Sequence, residues 1–431
     1  MKGRWPISLD ALLFALLTAA YLPMRFIIVL PPIIPGDTGA TALLILAVGV
    51  YLALDVIGAR SDRGRRIVTR GKWLLLVLAI TLIVIAPTIM IIFLRHQSAP
   101  YLYAHDGLLQ TESAVRFVLA GKNPYIETYY NTPMALAPFH LEGLTVNPAL
   151  EHYVYLPLTF LLPLPLQALA EMNGGWFDQR FIHLIFFIVM ILASIKLTDD
   201  PAKRLIVAMA LGLNPLFVGY FIEGRNDVIV LTWLIVTIGL ARHGRMKWAA
   251  LTLGLACATK HPAWLFLPLF LIYASGTGTI TQRWQRIKVP STVFAITTAL
   301  IVLPWLIWSP SAFVDDVVGY LAGSSASSYP ISGAGFGAGL VAIGIIPSNM
   351  AAFPFWLFQI GLGLPILVIL MRRQWRQPHL AAVAAGSGLL LFILQYFSRL
   401  FNDNYLGVII AIMAVAALMD ENTLASPPTT A

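Results

Sequence analysis

ARSDRGRRIVTRGKWLLLVLAITLIVIAPTIMIIFL, residues 59–94, decides what kind of protein this is. Arg60, Arg63, Arg65, Arg66, Arg70 and Lys72 crowd its beginning, and from Trp73 to Leu94 no charge occurs. About 20 apolar residues suffice for a helix to cross a hydrocarbon core of roughly 30 Å. Short loops rich in Lys and Arg stay on the cytoplasmic side. The stretch therefore reads as a span that leaves the cytoplasm and delivers residue 95 to the outside. Composition agrees: 58% of the 431 residues are hydrophobic and 11% are charged, whereas soluble domains carry about 25% charged residues. Too little polar surface remains for a soluble enzyme, a disordered tail protein or a secreted disulfide scaffold. The single cysteine, Cys257, excludes an internal disulfide and lies in an apolar run.

Working outward, apolar runs occur near 7–30, 39–58, 153–170, 181–197, 205–222, 227–241, 248–273, 289–308, 350–371, 379–397 and 405–419. Residues 7–30 read as an uncleaved first span, since Asp10 and Arg25 interrupt any signal core. Basic clusters in 198–204, 242–247, 274–288 and 372–378 must all face the cytoplasm. That parity holds only if YVYLPLTFLLPLPLQALA (153–170) does not cross, as Pro157, Pro163 and Pro165 suggest. It reads as an interfacial or re-entrant helix. Thr259-Lys260-His261-Pro262 interrupts 248–273, which therefore reads as two half-spans meeting near Lys260. The expected fold is all-α, a polytopic membrane helical bundle of about 12 spans in one domain (1–420). Both termini are cytoplasmic, juxtamembrane helices lie in a long extracytoplasmic loop, and 421–431 forms a short tail. The net charge of +8 is then a topology signal, and no nucleic-acid site is expected.

Chemistry should concentrate where charge is out of place. In the outer segment 95–152, Asp106 opens a roughly amphipathic helix to about Ala120, of a kind that can lie in the membrane interface. It can act as a helix N-cap or as a carboxylate that takes a proton from an incoming hydroxyl. Lys260, in mid-membrane at a helix break, suits an anion such as phosphate, although a snorkelling lysine has the same sequence. FIEGRNDVIV (221–230) carries Glu223, Arg225 and Asp227, and YFSRLFNDNYLG (396–407) carries Arg399 and Asn402. Arg grips phosphate, while Asn and Asp bond sugar hydroxyls. Asp37 reads as a turn residue. Asp315 and Asp316 are adjacent, so on a helix they would not share a face. His105, His140 and His152 lack metal-site spacing; neither a metal nor a cofactor is expected. Gly/Ser-rich 319–339 reads either as a lid over a site or as a plain surface loop.

Taken in order, these motifs resemble integral-membrane glycosyltransferases of the GT-C fold, nearest the polyprenol-phosphate-mannose-dependent α-mannosyltransferases. The likeness runs from about 75 to 410. It rests on Asp106 followed by G-x-N-P-Y (Gly121 to Tyr125), on the Tyr/Pro-rich YVYLPLTFLLPLPL, on E-G-x-x-D (Glu223 to Asp227), and on LTLGLACATKHP, which ends in Thr259-Lys260. The resemblance implies a cell-membrane hexosyltransferase with an extracytoplasmic active site in an outer catalytic loop of about 95–180. Its donor is a polyprenyl-phosphate-linked sugar, mannose favoured, transferred with inversion to a lipid, glycan or protein hydroxyl. Asp106 is implied as general base, and Lys260, with Arg225 or Arg399, as the cation facing the phosphate. His261, Glu223, Asp227, Asn402, Asn123 and Tyr125 are implied as substrate-binding. Two departures stand out: two spans precede the Asp106 loop, which makes Asp37 the rival base, and His261 replaces a common Gly after Thr-Lys. A secondary transporter with a broken helix around Lys260 is the competing reading.

Overall fold

The computed structural model describes residues 7–27, 37–57, 62–139 and 144–420. His140 and the 421–431 tail lie outside the described residues, as does the side chain of Asp37. Helices dominate the described residues; the one described strand pair is a parallel two-residue ladder, Ser332 to Leu400 and Gly333 to Phe401, besides an isolated bridge residue at Leu144. One apolar core runs through the helices on either side of the Lys260 break. A second, rich in Tyr and Phe, sits beneath the 106–160 region.

Span length departs from expectation. By length and composition, four helices among the described residues can cross a membrane: Thr38–Ile57, Arg63–His96, Ile280–Trp308 and Phe355–Arg376. A fifth arises if Pro201–Gly212 and Pro215–Glu223, bent by 47°, count as one. Other apolar helices, such as Arg180–Ser194 and Leu380–Tyr396, have 10–17 residues. At a rise of about 1.5 Å per residue they fall short of roughly 30 Å. Segment 153–170 forms no spanning helix, only Leu158–Leu161 and Leu164–Met172.

The bend at Asn214 has a local cause. Pro215 opens the second helix, and Asn214 caps it by accepting the Leu216 N–H at 3.1 Å. The Asn214 Nδ2 donates to the Gly407 carbonyl at 2.9 Å. There the two backbones approach so closely that a β-carbon on Gly407 would meet the Leu216 carbonyl oxygen at 2.4 Å. Backbone cannot swing aside, so Gly407→Ala should destabilise the protein by about 1–3 kcal/mol, the usual cost of overpacking. A lowered melting midpoint of the detergent-solubilised variant checks this.

Met246–Thr259 ends as expected at Lys260, whose φ of −155° and ψ of 142° are extended. Pro262 cannot donate to the helix ladder, so the chain restarts as a 3₁₀ turn, His261–Leu265, before Phe266–Ser275. Carbonyls freed by such a break need partners. Trp264 Nε1 donates to the Cys257 oxygen at 3.0 Å, and Thr159 Oγ1 donates to the Thr259 oxygen, also at 3.0 Å. The second bond ties the first, buried part of the proline-rich segment to the bundle, whereas Leu166, Leu169 and Met172 in its second helix are exposed.

The helix after Asp106 needs a correction. It spans Asp106–Leu119, but everything from Gly107 to Val115 is buried, including Gln110, Thr111, Glu112 and Ser113. It is therefore no interfacial helix. Each polar side chain finds protein partners: Gln110 Nε2 donates to the Ala149 and His152 carbonyls, and Thr111 and Ser113 to carbonyls one turn back. Glu112 accepts two bonds from Arg95, at 3.0 and 2.6 Å. Arg95 also reaches Asp178 at 2.7 Å, and Arg180 grips the same Asp178 and the Tyr103 carbonyl. Two guanidinium groups and two carboxylates thus cancel in a buried cluster that anchors the approach to Asp106.

Candidate active site

Two elements meet at Asp106. His105, not Asp106, is the N-cap of its helix; its Nδ1 accepts the Gly107 N–H at 3.0 Å and lies 2.9 Å from Asp106 Oδ1. The His105 N–H donates to the Glu223 carbonyl at 2.9 Å, which ties this helix start to the E-G-x-x-D turn. Asp106 therefore occupies the first helical position, where the helix dipole favours an anion. Its Oδ1 accepts the Gly107 N–H at 2.7 Å and its Oδ2 the Asn147 amide at 3.1 Å. Burial by itself raises the Asp106 carboxyl. When His105 is protonated, and so donates from Nδ1 to Asp106 instead of accepting the Gly107 N–H, its charge and hydrogen bond, with the Asn147 amide and the Gly107 N–H, outweigh burial and hold the group well below the usual carboxylate range. Its side chain keeps 30% exposure, which leaves the carboxylate open to a ligand.

That opening is a cavity of about 200 Å³ lined by Asp106, Arg225, Asp227, Lys260, His261 and Asn402 among others. Four separate sequence motifs thus converge on one space. Along one wall runs a hydrogen-bonded chain. Lys260 Nζ donates to Asp227 Oδ1 and, at 3.1 Å, to Asn226 Oδ1. Asp227 Oδ2 accepts the Asn404 amide at 2.6 Å, and Asn404 Oδ1 accepts Arg225 Nη1 at 3.1 Å. The Lys260 ammonium also faces the rings of Tyr155 and Tyr405, 5.6 and 5.9 Å from their centroids. Arg225 stacks on Tyr220 at 4.3 Å. Its Nε hydrogen has no hydrogen-bond partner among the described residues; Glu223 is 3.6 Å away.

Four expected substrate-binding residues stand behind the cavity. Arg399 is buried and its guanidinium is taken up by the carbonyls of Tyr329, Ala351, Asn349 and Met350. It fastens the 319–339 segment, whose Tyr320 and Tyr329 line the cavity. Asn123 is buried with its Oδ1 on the Tyr125 N–H, and Tyr125 donates its hydroxyl to the Tyr155 carbonyl at 2.8 Å. The G-x-N-P-Y motif thus props up Tyr155. Glu223 contributes its carbonyl to His105, as above, and its side chain lies outside the lining.

The family model of glycosyltransferase family 87 matches residues 153–396. The chain belongs to glycosyltransferase family 87. No curated protein and no solved structure matches it. Family membership makes the protein a glycosyltransferase, and its apolar helices suit a membrane protein. The family match favours the transferase over the transporter reading, for which the helix broken at a lysine, a feature of either class, was the main support. The matched region takes in Tyr155, the 223–227 turn and Lys260, while Asp106 and Asn402 lie outside it.

Sequence reasoning passed over several lining residues of this glycosyltransferase. Tyr155 and Tyr405 stood inside quoted motifs but were assigned no role of their own. Tyr155 sits beside the helix start, since a β-carbon on Gly107 would lie 2.2 Å from its hydroxyl. Asn147 carries no signal of its own in a loop. His152, Asp315 and Asp316 come together, contrary to the expectation from spacing and helical faces.

Proposed function

We propose that this family 87 glycosyltransferase moves a hexose, mannose favoured, from a polyprenyl-phosphate donor to an acceptor hydroxyl, with inversion, on the extracytoplasmic face. The observation that carries the reading is a carboxylate and two cations on the wall of one cavity: Asp106, Arg225 and Lys260. In the step, the acceptor oxygen forms a bond to the anomeric carbon and passes its proton to Asp106. The bond from that carbon to the phosphate oxygen breaks, and the pair leaves with the polyprenyl phosphate. Negative charge grows on the leaving phosphate opposite Arg225 and the remaining proton of Lys260, where fixed charge lowers the barrier. His261, Asp227 and Asn402 bind the sugar or phosphate, while Glu223, Asn123, Tyr125 and Arg399 support the wall. The layout that goes with this reading is one domain of about 12 spans over 1–420, termini cytoplasmic, with 95–180 as the outer catalytic loop. Lipid, glycan or protein acceptors all fit it, as does a membrane-borne donor; neither nucleic acid nor a cofactor is involved in transfer.

The test is release of free polyprenyl phosphate by purified protein in lipid, offered polyprenyl-phosphate-mannose, -glucose and -arabinose with mixed membrane acceptors. Release from mannose donor alone supports the proposal, and release from another donor changes the sugar. No release from any donor, with acceptors shown competent, removes the polyprenyl-phosphate reading.

The depressed Asp106 carboxyl gives a pH signature. A group whose folded value lies below its ordinary one stays ionised as pH falls until that lower value is reached. The acid limb of kcat/KM that belongs to Asp106 should thus fall below the ordinary carboxylate range. Asn147→Ala removes one bond to the ionised form, so this limb should move upward in the variant. A limb that does not move assigns the titration to another group.

A further inference from the structure

Beside the cavity, a cluster unused by the transfer brings together residues more than 160 positions apart in sequence. His152 Nε2 lies 2.9 Å from the Ser327 carbonyl oxygen, an acceptor only, so this nitrogen carries the hydrogen. In the neutral ring the Nδ1 lone pair then points outward, 2.7 Å from Asp316 Oδ1 and 3.8 Å from Asp315 Oδ2. Ligand atoms of all three side chains lie within 4.8 Å of one another. The carboxylates are themselves oriented from outside the cluster: Tyr153 N–H donates to Asp316 Oδ2 at 2.8 Å, and Ser325 Oγ to Asp315 Oδ1 at 2.5 Å. Adjacent aspartates reach one imidazole because Asp315–Gly319 is wound as a π-helix. Among the described residues no lysine or arginine pairs with either carboxylate. With the ring neutral, three lone-pair atoms therefore converge without a donor, whereas a protonated His152 donates from Nδ1 to Asp316.

We propose that His152, Asp315 and Asp316 form a divalent-cation site that ties the His152 loop to the 315–329 segment at the cavity wall. A ligating imidazole whose other N–H is fixed by a backbone carbonyl is the usual outer-shell arrangement of metal sites. One nitrogen and two carboxylates, with Asp315 half open to solvent, suit a first-row divalent ion that keeps water ligands. Its lever on the cavity is Tyr320, which lines it and whose ring is 4.6 Å from that of His152.

The full-length protein, stripped with EDTA in detergent, is titrated with Mn²⁺ while electron paramagnetic resonance counts the free ion. The expected result is one bound Mn²⁺ per chain and a rise in melting temperature. Asp315→Asn should bind at least 10-fold more weakly, and its partly exposed side chain leaves the His152–Asp316 contact and the fold in place. His152→Gln should lose the site. Asp106→Asn should bind Mn²⁺ as the parent does, which separates this proposal from the donor reading. No saturable binding by the parent means that a proton alone joins His152 to Asp316 and overturns the site. Unchanged affinity in Asp315→Asn overturns it as well.

Discussion

Asp106→Asn should lower kcat for polyprenyl phosphate release by about 10²–10⁴, the range associated with loss of a positioned general base, while the donor KM changes little. The substitution keeps the shape and an oxygen for the Gly107 N–H, so the helix start survives; what disappears is the anion. A carboxylate held well below its ordinary range is a weak base toward an unreacted hydroxyl. Its driving force arrives late, when the acceptor oxygen bonds the anomeric carbon and becomes strongly acidic. An acceptor fixed in place by Asn147 and Gly107 suffices for that moment, and a low value keeps it ionised beforehand. Because proton transfer accompanies bond formation, the loss falls on kcat and not on ground-state binding. If the variant turns over at the parental rate, the base lies elsewhere, and Asp37→Asn and Glu223→Gln are the next variants to assay.

The helix break at Lys260 was legible because chemistry and covalent geometry coincide there: a lysine followed by His-Pro inside an apolar run. The failure to cross of 153–170 was legible for the same reason, as prolines report on backbone directly. What a side chain does with its charge was not. Arg225 and Arg399 look alike in sequence, each in a short polar turn, yet one faces the cavity and the other is consumed by four carbonyls. That difference depends on where segment 349–351 runs, which no local pattern encodes. Polar residues after Asp106 suggested an interfacial face, and they are buried instead because Arg95, Ala149 and His152 come from other segments to meet them. His152 and Asp316 were invisible as a pair for the same reason. Asp106 itself was picked out by its downstream motif, and the structure assigns the helix cap to His105.

Arg225→Gln should cost about 10²–10³ in kcat, the loss seen when a donor to developing negative charge is removed, and should cost more than Lys260→Gln. The sequence puts Lys260 first, as the intramembrane cation at a helix break. Its charge, however, is already opposed by Asp227, and two of its three protons are used by Asp227 and Asn226. A phosphate approaching Lys260 meets a nearly neutral pair. Arg225 donates one side-chain hydrogen bond, to the neutral Asn404; its carboxylate neighbour, Glu223, is 3.6 Å from Nε and partly exposed, so it opposes the charge less closely than Asp227 opposes Lys260, and stacking on Tyr220 holds the guanidinium plane. Arg also offers a planar fork for phosphate oxygens that an ammonium lacks. Lys260→Gln leaves Asp227 as a buried, unpaired carboxylate, so its defect should appear chiefly as instability, since breaking a buried pair costs about 3–5 kcal/mol. Lys260→Gln combined with Asp227→Asn should then recover melting temperature together with much of the rate. Rate constants at a temperature where every variant is folded decide the matter: a larger loss in Lys260→Gln than in Arg225→Gln, unrelieved by Asp227→Asn, would return the phosphate-facing role to the lysine.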